Sequence, residues 1–171
     1  HSTFSNCSSL ISLTIGDGVT SIGERTFEYC SALVDVTIGD GVKSIGNRAF
    51  QGCKSIKKVY IKSIESWCNI DFIPSEYDEN LNFSFYSNPL HYGGSIYLNN
   101  ELLSILQIPE SIVRIKPGTF EGCKSITTLK LTDSTTSIGH SAFDDCDGLV
   151  SIALGNGVNT MESHAFNDCD A

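Results

Sequence analysis

A repeat of 23 residues organises this chain. Residues 33–53, LVDVTIGDGVKSIGNRAFQGC, match residues 10–30, LISLTIGDGVTSIGERTFEYC, at the apolar positions, and the same frame returns from positions 103, 126 and 149. One phenylalanine marks each regular copy: Phe4, Phe27, Phe50, Phe120, Phe143 and Phe166. A fixed period of this length is typical of a solenoid, in which each coil buries its apolar face only against its neighbours. The chain is therefore predicted to form an array of coils.

Within one coil, the spacing of residue types predicts a strand, a turn and a return segment. The apolar alternation at residues 36–38 is that of a short strand, so stacked coils should form a parallel sheet. Gly39 and Gly41 follow with turn chemistry, and we expect them to adopt positive φ. A short helical turn should then carry Phe50 inward as the largest apolar group of its coil.

Composition and charge exclude several classes of function. The formal net charge of −9, with a pI near 4.7, disfavours the basic surface that non-specific nucleic-acid binding requires. No run of 18 apolar residues exists, so no membrane insertion is expected in this segment. Both ends fall in mid-repeat, from which we expect this chain to be a fragment of a longer protein.

Six of the seven cysteines share one position of the repeat, three residues after each phenylalanine. They are Cys7, Cys30, Cys53, Cys123, Cys146 and Cys169. Cysteines at one position form a ladder, with one rung per coil, whereas a zinc site needs cysteines that converge from different positions. We therefore predict buried, free thiols that behave as small hydrophobic groups. Bridges between neighbouring coils stay open as the less favoured alternative, because adjacent strands lie close enough for them.

The middle of the chain interrupts the repeat. Ile56 and Leu103 occupy equivalent positions but are 47 residues apart, two periods plus one. Residues 64–72 have helix-like apolar spacing around Trp67, and residues 74–94 are predicted to form a long protruding loop. Beyond them, the Asn99-Asn100 pair suits the positive φ values of a tight hairpin turn.

The repeat frame L-x-x-I-x-I-x-x-x-V-x-x-I-G-x-x-A-F-x-x-C resembles the BspA-like leucine-rich repeats of surface proteins from host-associated bacteria and some parasitic protists. The irregular middle, with Trp67-Cys68, resembles a variant unit of that family. The resemblance implies one elongated, right-handed leucine-rich repeat solenoid of the α/β type over residues 1–171. Regular repeats would cover 1–62 and 103–171, and an irregular unit would cover 63–102. It also implies a role in adhesion or host-protein binding.

Three alternatives involving catalysis or metal binding are weaker. Cys68 with His91 could form a nucleophile and base, but packing of Cys68 beside Trp67 is the preferred interpretation. Asp145, Asp147 and Gly148 resemble part of a calcium loop, but with Gly148 at the glycine position the first ligand would be Phe143 and the last Leu154, so the site fails. His140 and His164 lie at nearly equivalent positions on adjacent coils, as solvated surface histidines commonly do. We predict no enzyme activity, no metal site and no cofactor.

The outward residues of the strands provide the first candidate binding site. Alternate residues of a strand share a face, which places Tyr60 between Lys58 and Lys62. These three residues lie in a basic block, residues 41–64, that contains no acidic side chain, whereas residues 131–171 contain no basic one.

The aromatic residues of the protruding loop provide the second candidate site: Tyr77, Phe83, Phe85 and Tyr86. The expected function is a non-catalytic extracellular or cell-surface module that binds a protein or another cell-surface ligand, with host extracellular molecules included. The alternative is a structural spacer or stalk that has no ligand of its own.

Overall fold

The computed structural model describes residues 2–75 and 85–170, and these form a solenoid with mostly parallel strands and little helix. The strands in the first half of the chain are β1 Ser12–Ile15, β2 Ser21–Ile22, β3 Asp35–Ile38, β4 Ser44–Ile45, β5 Lys58–Ile61 and β6 Asp71–Phe72. The helix α1 spans Ile64–Cys68. The second half has β7 Ser95–Leu98, β8 Glu101–Leu102, β9 Ile105–Gln107, β10 Arg114–Ile115, β11 Thr128–Lys130, β12 Ser137–Ile138, β13 Ser151–Ala153 and β14 Thr160–Met161.

The longer strands form the side of the solenoid that we call the strand face. Its first sheet has the order β1-β3-β5-β7-β8, and its second sheet has the order β9-β11-β13. The parallel strands pair in register, Leu13 with Val36 and Val36 with Val59, because each regular coil returns to the same place after 23 residues. Val36 and Val59 are fully buried, as the alternation predicts.

The two-residue strands form a second, narrower side that we call the return side. It consists of two separate three-stranded sheets, β2-β4-β6 and β10-β12-β14. A cavity of about 410 Å³ lies between them, lined on one side by β6 and Pro74 and on the other by Arg114, Lys116 and Pro117. Lys116 spans this interruption, since its Nζ lies 2.6 Å from Asp71 Oδ1 on the facing strand.

The phenylalanines form the stacked spine that the repeat predicts. Phe27 and Phe50 lie 5.4 Å apart between ring centroids, and Phe120 and Phe143 lie 5.2 Å apart. In the regular coils, each phenylalanine lies in a tight turn, and not in the helical turn that the sequence predicts. Arg48 and Gly52, on either side of Phe50, have positive φ, which an α-helix cannot accommodate.

The prediction that Gly39 and Gly41 adopt positive φ is wrong, because neither is among the residues with positive φ. They are glycines because neighbouring coils approach closely at this turn. A Cβ on Gly41 would lie 1.8 Å from the carbonyl oxygen of Asp17, and one on Gly39 would lie 2.7 Å from the carbonyl carbon of Gly16. Glycine is required at these two positions because the backbone of the preceding coil leaves no room for a Cβ atom, and not because the backbone adopts positive φ.

All seven cysteines are free, and the ladder cysteines of the inner coils are buried, as predicted. The thiol also has a role that the repeat pattern did not indicate. Cys53 Sγ donates a hydrogen bond to the carbonyl oxygen of Phe27 at 3.0 Å, and Cys146 Sγ donates to that of Phe120 at 3.2 Å. The exception is Cys123, which follows the irregular unit and contacts Ser125 Oγ instead. Each regular coil is therefore bonded to the one before it through its cysteine.

The irregular unit contains the predicted helix and hairpin. Helix α1 begins after Ser63, whose Oγ accepts a hydrogen bond from Ser66 N at 3.1 Å. Trp67 is buried and donates its indole N–H to the carbonyl oxygen of Thr119 at 3.0 Å. Asn99 and Asn100 both have positive φ and connect β7 to the antiparallel β8, which confirms the hairpin.

Candidate ligand-binding surface

The strand face presents two rows of outward side chains. Buried Val36, Val59, Ile96 and Leu106 alternate with them, so every second residue of each strand faces outward. The first row contains Ser12, Asp35, Lys58 and Ser95 on one sheet and Ile105, Thr128 and Ser151 on the other. The second row contains Thr14, Thr37, Tyr60 and Tyr97, then Gln107, Lys130 and Ala153. Large side chains are concentrated where the two sheets meet.

Two tyrosines form the centre of this surface. The parallel pairing of β5 with β7 places Tyr60 directly beside Tyr97. Their ring centroids lie 5.1 Å apart, and their planes are tilted by 36°. Both tyrosines are partly exposed, so together they form an aromatic platform on the strand face. Tyr97 was not among the predicted site residues.

The cations that flank Tyr60 differ in their environments. Lys62 reaches across two coils, and its Nζ lies 2.6 Å from Asp17 Oδ2. This hydrogen bond lowers the pKa of Asp17, with a further contribution from Asp40 N, and it raises the pKa of Lys62. Lys62 is therefore neutralised by a partner, whereas Lys58 has no ion-pair partner within the described ranges. Lys58 and Tyr60 lie on the same face of β5, whereas Lys62, just beyond the end of the strand, forms an ion pair.

The hairpin turn closes a cavity next to the tyrosine platform. It has a volume of about 300 Å³ and is lined by Thr37, Tyr60, Ile61, Lys62, Asn99 and Asn100. The turn is held over β5 by a hydrogen bond of 3.1 Å from Asn99 N to the carbonyl oxygen of Ile61. A small cavity with both polar and apolar lining residues thus lies at the edge of an aromatic surface, beside the irregular unit.

Exposed aliphatic side chains extend the platform. Leu102 pairs directly with Tyr97 across the hairpin and is 53% exposed, and directly opposed residues share a face. Ile105 points outward from β9 and is 56% exposed. Leu102 was not among the predicted site residues. The Asn99-Asn100 pair was the available signal, since a two-residue turn there sets Tyr97 opposite Leu102.

A family model described as the BspA type leucine rich repeat region matches residues 1–88 and 91–171 in six copies. The chain belongs to the BspA-type leucine-rich repeat family. This fold typically serves as a non-catalytic scaffold for interactions with other proteins. No curated protein sequence matches the chain.

Two solved structures show the same fold as this BspA-type array. A leucine-rich repeat protein of T. pallidum is 19% identical with a TM-score of 0.52, covering 92% of this chain and 63% of that one. A leucine rich cell surface protein of Faecalibacterium prausnitzii is 22% identical with a TM-score of 0.51, covering 99% of this chain and 54% of that one. The chain thus spans less than two thirds of the length of either protein.

The second predicted site lies partly outside the described residues of the BspA-type array. Tyr77 and Phe83 lie outside the described residues. Phe85 is 1% exposed, and it packs so closely under Gly118 that a Cβ there would lie 2.3 Å from its ring. Tyr86 is partly buried with its ring edge-on to His91 at 4.6 Å. The described half of this candidate site therefore packs into the array.

The residues considered for catalysis are also parts of the packing. Cys68 is 1% exposed, and burial raises its pKa to about 12, so it is a protonated thiol at neutral pH. His91 Nδ1 lies 3.0 Å from Glu121 Oε1, and in the described ranges no contact joins it to Cys68. Burial raises the pKa of Glu121 despite this hydrogen bond.

The groups considered for metal binding are near the surface. The rings of His140 and His164 lie 5.3 Å apart. Among the described residues, one group of carboxylates comes within 4.8 Å, namely Asp144, Asp145 and Asp168. Asp144 already accepts hydrogen bonds from Ser141 and Asn167, so the group shows nothing beyond an acidic surface. Over residues 2–75 and 85–170, no helix has the length and apolar character needed to cross a membrane.

Proposed function

We propose that this chain is a non-catalytic protein-binding module that is displayed extracellularly or at the cell surface, where it contributes to adhesion. The observation that carries the proposal is the Tyr60–Tyr97 pair on the strand face, with exposed Leu102 beside it. Tyrosine offers a large contact area at a low entropic cost and is enriched in binding hot spots. The other outward residues of β1, β3, β11 and β13 are small or polar. A partner would therefore obtain its largest contact area, and with it most of its binding free energy, at this platform.

The charges around the platform indicate the chemistry of the partner. Lys58 in the first row and Lys130 in the second are cations on the strand face, and Lys130 is exposed. A protein ligand with acidic groups around an apolar contact would complement them, and such rim charges mainly accelerate association. The partner we propose is a protein, which includes the proteins of a host cell surface or extracellular matrix. Binding requires no cofactor, metal or nucleic acid.

The surface location is supported by similarity. The F. prausnitzii protein that shares the fold is described as a cell surface protein. A scaffold of stacked coils also suits exposure to solvent on all sides, since each coil is stabilised by its neighbours alone.

The test is a binding measurement with purified proteins. The chain is passed over immobilised serum and extracellular-matrix proteins, and affinities are measured by surface plasmon resonance. We expect saturable binding to at least one of them, with the double variant Tyr60→Ala, Tyr97→Ala weakened by at least about tenfold, as hot-spot residues are. The association rate should fall as salt rises, because Lys58 and Lys130 lie at the rim.

Tyr29→Asn is the matched control. Tyr29 is 49% exposed but lies in the turn that follows Phe27, outside the strands of the strand face, and asparagine accommodates its φ of 58°. Equal loss in the control and the double variant would remove the platform from the binding site. A chain that binds no protein in such a panel would instead favour the spacer function.

A further inference from the structure

We propose that the cavity beside the tyrosine platform binds one neutral sugar ring, so that the partner of this surface is recognised partly through its glycan. The inference rests on the proposed function, because it names the part of a glycosylated partner that enters the cavity. The lining residues named above supply three chemical features that a sugar needs. They are unpaired polar groups, an aromatic ring and a site without net charge.

The unpaired polar groups come from the turn and from β3. In the described parts of the chain, no hydrogen bond engages the side-chain amides of Asn99 and Asn100 or the hydroxyl of Thr37. An amide offers both donors and acceptors, and so does a hydroxyl. A ligand that matches all three must itself carry several groups that both donate and accept, which is the property of the hydroxyls of a sugar.

The aromatic ring and the size of the cavity restrict the ligand further. Tyr60 lines one wall, and buried Ile61 contributes apolar surface beside it. A sugar ring has an apolar C–H face that packs against an aromatic ring while its hydroxyls reach polar neighbours. A volume of about 300 Å³ is at the small end of ligand pockets, which suits one ring and not a longer folded segment.

The charge of the lining favours a neutral ligand over an acidic one. Lys62 is the only cation in the lining, and it lies 2.6 Å from Asp17 Oδ2. An anionic sugar or a phosphate would have to compete with that carboxylate for the ammonium group. A neutral sugar can accept a hydrogen bond from Lys62 without breaking the ion pair, since an ammonium group has three donors.

The experiment is an NMR titration of the isotope-labelled chain. The probes are the methyl glycosides of glucose, galactose, mannose and N-acetylglucosamine, with N-acetylneuraminic acid and inorganic phosphate for comparison. We expect at least one neutral glycoside to give saturable shifts at the side-chain amides of Asn99 and Asn100 and at the ring of Tyr60, with a dissociation constant on the order of 1 mM. Binding should be insensitive to salt, because no net charge is involved.

The variant Asn99→Gly, Asn100→Gly removes both amides while keeping the turn, because glycine adopts positive φ readily. We expect it to weaken glycoside binding by about tenfold, as the loss of two hydrogen-bonding groups implies. Thr128→Ala, on the second sheet of the strand face, should leave binding unchanged. Titrations without saturation up to about 50 mM, in a range where any specific sugar site would respond, would overturn the proposal. So would tighter binding of the acidic probes, or unchanged affinity in the double-glycine variant.

The sugar titration and the protein-binding measurement fail independently. A chain that binds its protein partner through Tyr60 and Tyr97 but shows no sugar response loses only the glycan proposal. If the chain binds glycosides but no protein of the panel, the protein-binding proposal fails and the sugar-binding proposal stands. Enzymatic removal of glycans from a bound partner tests whether both proposals concern the same partner. It should weaken the binding of that partner to the wild-type chain more than its binding to the double-glycine variant.

Discussion

At the residue scale, the interior side chains of the regular coils pack on their own copies in the neighbouring regular coil. Phe50 is fully buried and stacks on Phe27, and the thiol of Cys53 donates a hydrogen bond to the carbonyl oxygen of Phe27. Burial also raises the pKa of Cys53 to about 12, which keeps the thiol protonated and able to donate. The same two residue types thus supply both the apolar packing and a polar connection between coils.

We expect Phe50→Ala to lower the free energy of unfolding by about 3–5 kcal/mol, because truncating a buried ring removes apolar contact and leaves a cavity. Phe4→Ala is the control. Phe4 is at the same repeat position but 50% exposed, so its loss should be below about 1.5 kcal/mol. Urea denaturation followed by circular dichroism measures both, and equal losses would contradict the assignment of Phe50 to the core.

The apolar interior was predictable from the sequence because its residues recur at one phase. A residue that recurs every 23 positions must meet its own copy in the next coil, so Phe27, Phe50 and the cysteines follow directly. The hydrogen bond from Cys53 to Phe27 did not follow. Their separation is 26 residues, and only the folded turn brings the thiol to a carbonyl of the preceding coil.

At the element scale, the irregular unit contains the only α-helix in the described chain, together with the hairpin. Helix α1 is held at its start by Ser63 and connected to a later coil through Trp67, which donates to Thr119. Five residues are too few for a helix to be stable alone, so these contacts and the burial of Trp67 stabilise it.

Ser63→Ala should cost about 1 kcal/mol of stability, the usual effect of removing a helix N-cap. Ser63→Asp should retain most of it, since aspartate also accepts from the Ser66 N–H. Trp67 is the only tryptophan, so its fluorescence during urea unfolding reports directly on this element. Identical midpoints for the alanine and aspartate variants would show that the cap does not contribute.

The elements of the irregular unit were predictable, but their positions were not. Apolar spacing indicated a helix, and Asn99-Asn100 indicated a hairpin turn. Tyr60 and Tyr97 pair across β5 and β7, yet they are 37 residues apart, which is not a multiple of the repeat. Periodicity therefore could not place them together. The ion pair of Lys62 with Asp17 was missed for a related reason, since a long side chain that crosses two coils leaves no local pattern.

At the scale of the whole array, stability comes from interfaces between neighbouring coils, and within these 171 residues the first and last coils contact one neighbour whereas the inner coils contact two. The exposures of the ladder cysteines agree with this arrangement. Cys7 and Cys169 are partly exposed, whereas Cys30, Cys53, Cys123 and Cys146 are buried. The reactivity of each ladder cysteine therefore reports how well its own coil is covered by neighbouring coils.

A thiol reagent applied to the native chain at pH 8 should label Cys7 and Cys169 first, and Cys53 and Cys68 only after unfolding. The pKa values of Cys53 and Cys68 are about 12, so raising the pH to 9 should not expose reactive thiolates at these positions. Peptide mass spectrometry gives the order of labelling. In denaturant without reductant all seven thiols should react. Fewer than seven would reveal disulfides, and early labelling of Cys53 would contradict its burial.

Charge along the axis is connected by ion pairs that span coils. Lys124 pairs with Asp147 one coil later, and Arg114 pairs with Glu162 two coils later. Two carboxylates of the acidic C-terminal region are thus paired with cations of earlier coils, and Lys62 of the basic block is paired with Asp17. Exposed pairs of this kind each contribute little to stability.

The hydrogen bond from each ladder cysteine to the preceding phenylalanine has a consequence for how such a chain can evolve. A regular coil offers the same carbonyl on one side and the same thiol on the other, so the duplication or deletion of one whole coil would preserve this hydrogen bond at the new junction. Cys123 is different, because the unit before it is irregular and its thiol contacts Ser125 instead. Adding or removing one regular coil would therefore preserve this hydrogen bond on either side of the irregular unit, whereas a cut within the irregular unit would separate Tyr97 and the hairpin from β5.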